Sequence, residues 1–207
     1  MRYAIHPSLS ILTLPLSLAL AGSTGLSQVT TTTTAPRIVR FDAGAMRTDL
    51  GYGIALNNES TLKREGIAII DPRLPATLND SARVFTTYGD RTYKYAALVS
   101  VTAVEPLTAV EVRFLVFDVF GDRVRVLSMT EVADIPAGMT KKFVPEWNVY
   151  SENEAEDHYA SIGYVARVRT QAGKVIDADL TPVLAEARRF SRKLTEADLA
   201  PKPAADK

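Results

Sequence analysis

Apolar and polar residues alternate with a period of two through the middle of the chain. Between Tyr93 and Ala103, Tyr93, Tyr95, Ala97, Val99 and Val101 fall on one side, with Lys94, Ser100 and Thr102 on the other. Successive strand side chains point to opposite faces, so the run predicts a half-buried strand. From Ala109 to Phe120 the inward set is Val110, Val112, Phe114 and Val116, with Glu111 and Arg113 facing water. Its second half adds Leu115, Phe117 and Val119 on the opposite side, which predicts a central strand covered on both faces. Tyr159 to Thr170 repeats the scheme, with Ile162, Tyr164, Ala166 and Val168 inward and Arg167 and Arg169 outward. Val84–Tyr88, Val124–Val132, Lys141–Val144 and Val175–Asp179 bring the count to about seven strands in roughly a hundred residues, the number an immunoglobulin-like sandwich requires. Gly66–Asp71 is a further strand candidate ended by Pro72. The expected core joins Val112, Phe114, Val116, Val99, Val101, Tyr164 and Val168.

Turn chemistry separates these runs. Gly89-Asp90 and Gly121-Asp122 suit two-residue hairpins, in which glycine supplies a positive φ. Ile135-Pro136-Ala137-Gly138 and Gln171-Ala172-Gly173-Lys174 are the other turn signals. After Asp179 the period changes: Thr181 as a cap, Pro182 at the first helical position, and Val183, Ala187, Phe190 and Leu194 on one face predict a docked helix. Arg188, Arg189, Arg192 and Lys193 read as its solvated, dipole-favoured basic end. Thr195 with Asp198 forms a second capping pattern, and Pro201 and Pro203 stop any continuation.

The fold class expected is therefore all-β, an immunoglobulin-like antiparallel β-sandwich with an appended C-terminal helix. The domain plan is residues 84–180 for the sandwich, 37–83 for a weakly patterned N-terminal segment packing on it, 181–200 for the helical segment and 201–207 for a loose tail. Before them, residues 1–21 read as an export signal: Arg2 is positive, Leu9 to Ala21 is an uncharged apolar stretch, and Ala19-Leu20-Ala21 fits a small-x-small cleavage site. Gly25-Leu26-Ser27 offers a second cut, after residue 27. The stretch spans 13 residues, short of the roughly 20 a membrane-crossing helix needs. Residues 22–36, with consecutive threonines from Thr30 to Thr34, read as a disordered tether. The expected location is exported, periplasmic or extracellular.

Composition narrows the chemistry. Twenty-four Lys+Arg balance 24 Asp+Glu, so no basic face announces a nucleic-acid partner. Zero cysteines remove thiol catalysis, thiolate metal sites and disulfides, so the sandwich must hold by packing alone. Of two histidines, His6 lies in the signal, so a zinc site with two or three histidines is excluded once the signal is cut. His158 reads as a residue at a strand edge, and no Gly-x-Ser-x-Gly elbow accompanies it. Asp118, the acid within an apolar run, reads as a turn residue bonding its own backbone.

The strand-and-turn order resembles the FxLYD family, small immunoglobulin-like domains of exported bacterial proteins. Phe114-Leu115-Val116-Phe117-Asp118 matches its name motif with Val for Leu and Phe for Tyr, and Gly121-Asp122 and the Pro136–Gly138 turn follow where the family has its turns. The resemblance covers about residues 93–179 and implies a sandwich with no catalytic residues. Two parts depart from it: the C-terminal helix, and a Pro145–His158 insertion holding Trp147 and an acidic run.

That insertion is where function is expected. Trp147 and Tyr150 offer rigid apolar contact area, while Glu154 and Asp157 belong to a negative rim with Glu152 and Glu156. These four residues, Trp147, Tyr150, Glu154 and Asp157, are the surface-contact candidates, for a protein or glycan partner. No catalytic, metal or cofactor residue is assigned, and no cofactor is expected. The competing reading is a metal-dependent or carboxylate-based hydrolase using the acidic loop 151–158.

Overall fold

The computed structural model describes residues 35–43, 64–89, 92–149 and 157–201, all within the unit Thr33–Lys207. The signal segment, the tether as far as Thr34, Asp90, Tyr150, Glu154 and the tail after Pro201 lie outside the described residues. The described strands are β1 (Arg37–Asp42), β2 (Glu65–Ile70), β3 (Ala76–Leu78), β4 (Arg83–Gly89), β5 (Thr92–Ala103), β6 (Leu107–Phe117), β7 (Arg123–Ile135), β8 (Thr140–Phe143), β9 (Glu146–Asn148), β10 (Ala160–Thr170) and β11 (Val175–Asp177). One helix, α1 (Thr181–Phe190), and a 3₁₀ turn, Glu196–Leu199, complete them. The described residues of the 37–83 segment thus supply β1, β2 and β3 to the sheets themselves.

The long alternating run from Tyr93 is β5, the centre of one sheet. β3 and β4 follow one of its edges, with Asn79 between them taking the Ser100 carbonyl as acceptor for its N–H. β8 and β9 follow the other edge, with the Pro145 carbonyl accepting the Ala97 N–H between them. The facing sheet runs β1-β2-β10-β6-β7, and β11 also pairs with β10. A three-strand layer thus opposes β11-β10-β6-β7, an immunoglobulin-like arrangement with β1 and β2 added. One pairing departs from the antiparallel expectation: β2 runs parallel to β10, Glu65 to Tyr164 in span of register from Glu65↔Ala160 to Ile69↔Tyr164. Short β11 pairs only Arg167 to Arg169, and β2 occupies the edge it leaves along the first half of β10.

Val99, Val101, Val112, Phe114, Val116 and Val168 lie in the core between the sheets, as their alternation predicts. Tyr164 does not. A bulge between Val165 and Arg167 reverses which side of β10 faces the other sheet, so Val165 and Val168 point inward. Ile162, Tyr164 and Ala166 join a second core on the outer face, with Ile67, Ile69, Leu115 and Phe117. The double-sided second half of β6 is explained by this layer, which α1 and the 3₁₀ turn cover with Val183, Ala187, Leu194 and Leu199. Phe190 stacks on Phe117 at 4.7 Å between ring centres. No helix among the described residues is long and apolar enough to cross a membrane.

The start of α1 differs from the sequence expectation: Leu180, not Thr181, stands at the N-cap and makes no side-chain cap bond, Thr181 is already helical, and the Asp179 carboxylate accepts its N–H at 2.9 Å. Hydrogen bonds from the Thr181 side chain and backbone, and then one from Arg73, hold the Asp179 carboxyl below the usual carboxylate range. Thr195 and Asp198 do form the expected reciprocal capping box. Buried Glu186 fastens α1 to β1 through two 2.7 Å bonds from Arg40, with Arg189 at 3.0 Å.

Candidate functional site

Pro145 turns the chain along the β5 edge, and β9 then places Trp147 opposite Tyr95. The indole is half-buried. Its Nε1–H donates to the Ser128 carbonyl of β7 at 2.9 Å, and its ring meets Phe114 edge-on at 6.2 Å. Because β9 belongs to one sheet and β7 to the other, Trp147 bolts the two sheets together along their open side. Arg125 of β7 repeats the link by donating to the Asn148 carbonyl at 2.6 Å. At the far end of the insertion Asp157 is exposed, while the next residue but one, Tyr159, donates its N–H to Phe117 at 2.9 Å. Trp147 and Asp157 share no hydrogen bond among the described residues, and Tyr150 and Glu154 lie outside them.

His158 departs most from its sequence expectation. It is only 2% exposed, inside the sandwich rather than at a strand edge. Its ring stands edge-on to Tyr95 at 5.8 Å, and its Nδ1 lies 3.3 Å from Nη1 of Arg64. Arg64 immediately precedes β2, and its Nη1 also reaches the Thr86 hydroxyl of β4 at 3.4 Å. A guanidinium can only donate, so Nδ1 is the acceptor and the His158 proton sits on Nε2. Burial first, and the Arg64 charge second, pull the His158 pKa down to about 3. Burial also lowers the Arg64 pKa. Alternation carries Tyr95 into the interior, but nothing local links Arg64, Thr86 and His158. Their meeting depends on the parallel β2–β10 pairing, which no sequence pattern announces.

The Asp118 reading is met in detail. Its carboxylate accepts the backbone N–H groups of Phe120 at 2.9 Å and Asp122 at 2.8 Å. The β6–β7 connection is therefore a loop from Asp118 to Asp122, longer than a two-residue hairpin, with Gly121 at φ +85°. Phe120 at its tip is 87% exposed.

A cavity of about 10 Å³ beneath α1, lined by Ile69, Leu74, Tyr164 and Val183, has room for one water at most. An open depression of about 130 Å³ beside Pro106, Ile135 and Gln171 falls short of the 300 Å³ or more of ordinary ligand pockets. Among the described residues no group of His, Asp and Glu is arranged to hold a metal ion.

No protein-family model matches the chain, and no curated protein matches it. Among solved structures, a hypothetical protein from Peptoclostridium difficile 630 aligns with 56% of this chain and 92% of its own, at 7% identity and a TM-score of 0.39.

Proposed function

We propose that the chain is an exported, non-enzymatic β-sandwich module that acts through surface contacts in the cell envelope or outside the cell. The observation that carries this reading is the fixing of both ends of the 145–158 insertion. Trp147 ties one end to both sheets, and buried His158 with the Tyr159–Phe117 bond ties the other. A segment held at both ends by a rigid frame can present side chains at low entropic cost, the arrangement binding loops use. Tyr150, Glu154 and Asp157 are the contact residues in this reading, and a protein or glycan with basic or hydrogen-bonding groups is the partner class. Trp147 holds the frame. Kinship with the FxLYD domains, carried by Phe114 to Asp118, belongs to the same proposal.

Two measurements test it. Mass spectrometry of protein from its native host is expected to show loss of residues 1–21 or 1–27; intact Met1 on a cytoplasmic protein refutes export. Binding of the labelled protein to host envelope fractions is expected to fall at least tenfold in Tyr150→Ala/Glu154→Gln/Asp157→Asn, with the melting temperature unchanged. Equal binding by that variant removes the insertion from the contact surface.

A further inference from the structure

Among the described residues, buried His158, which anchors the end of the insertion, is paired with a second ionisable group, Arg64. His158 and Arg64 meet at 3.3 Å where β2, β4, β5 and β10 converge, with Thr86 and Tyr95 completing the cluster. The charge acting on the imidazole is the Arg64 guanidinium. On β5, Tyr95 presents its phenol ring, and on β4, Thr86 presents a hydroxyl. Among the described residues, the acids adjoining the pair in sequence face elsewhere: Asp157 is exposed, and Glu65 lies 3.8 Å from Arg189 of α1.

We propose that His158 is an acid-operated latch: taking up a proton at Nδ1 breaks its contact with Arg64 and opens this end of the sandwich. The neutral ring is an acceptor for Arg64. With a proton on Nδ1 it becomes a second donor and a second cation at the same 3.3 Å, out of contact with water. Like charge at that distance in the interior is relieved by moving the ring out to solvent. The ring cannot leave alone. It immediately precedes Tyr159, whose N–H bonds Phe117 and whose carbonyl accepts the Glu65 N–H at 3.1 Å, the two bonds that start β10 on β6 and β2. Opening the latch therefore loosens the beginnings of β10 and β2. β7, bonded along β6 from Arg123 to Ile135, is not part of the device.

Amide hydrogen exchange of the full chain tests this. If the open form carries a histidine with an ordinary pKa near 6.5, the opening equilibrium rises by about 30-fold between pH 8 and pH 5. Protection at Tyr159 and Glu65, corrected for intrinsic exchange, is expected to fall by that factor while β7 amides keep theirs. His158→Gln keeps an acceptor for Arg64 without a titrating group, so its protection is expected to be the same at both pH values. The imidazole signals of the wild-type protein give a second readout, and are expected to stay those of the Nε2–H neutral ring at pH 5. Wild-type protection independent of pH overturns the latch. So does an equal fall in His158→Gln, a uniform fall across all strands, or a ring that titrates near 6.5.

Discussion

Gly163 of β10 sits opposite Phe114 of β6, and the ring of Phe114 lies over it. A Cβ added at Gly163 would stand 2.7 Å from Phe114 Cε1 and 3.0 Å from Cδ1. The ring is fully buried and also meets the Trp147 ring edge-on, so it cannot retreat cheaply. Overpacking of this kind costs about 1–3 kcal/mol, against a gain of about 0.5–1 kcal/mol for replacing glycine inside a strand. Gly163→Ala is therefore expected to destabilise the protein by about 1–2 kcal/mol. In a Phe114→Leu background the obstructing ring edge is gone, and the same change should be neutral or slightly stabilising. Urea unfolding of the four proteins in this cycle, followed by fluorescence of the single tryptophan, gives the coupling directly. A coupling of about 1–3 kcal/mol is expected. If the two changes add to within about 0.5 kcal/mol, Phe114 does not cover Gly163 and the packing argument fails.

Trp147→Phe keeps the ring contact but loses the bond to Ser128, and is expected to cost about 1 kcal/mol in the same assay; no loss would mean the indole does not bolt the sheets. Glu186→Gln removes the charge that Arg40 and Arg189 share, and about 1 kcal/mol is expected, discounted for the exposure of both arginines. That loss should vanish in 1 M salt, and a salt-independent cost would point to packing instead. Titration with Ca²⁺ or Zn²⁺ to millimolar is expected to leave Trp147 fluorescence and thermal stability unchanged. A saturable micromolar response lost in Glu154→Gln or Asp157→Asn would replace the surface-contact proposal with a metal-dependent one.

How far these features could be read from the sequence depends on how local their causes are. The inner sides of β5 and β6 are written as apolar residues at every second position, and the burial of Val99, Val112 and Phe114 follows from it. The same rule misplaced Tyr164, because a single bulge beyond Val165 reverses parity and leaves no mark in residue type. The docked face of α1 was legible from Val183, Ala187 and Leu194, whose spacing matches a helix stripe. Its tie to β1 was not, since Arg40 and Glu186 are 146 positions apart. His158 offered least. A lone histidine after an acidic run reads as surface until Arg64, 94 positions earlier, is brought beside it.

The parallel seating of β2 beside β10 also sets a condition on how the molecule is made. Glu65 and Ala160 are partners separated by 95 positions, and every described strand between them is synthesised before that contact can form. Non-local pairing of this kind is slow to form, because the loop entropy is lost before the contact rewards it. A chain emerging N-terminus first therefore carries β1 and β2 without their neighbour until almost all of it has been synthesised. Its last-made segments, β10 and the α1 cover, are the ones that complete the first-made edge.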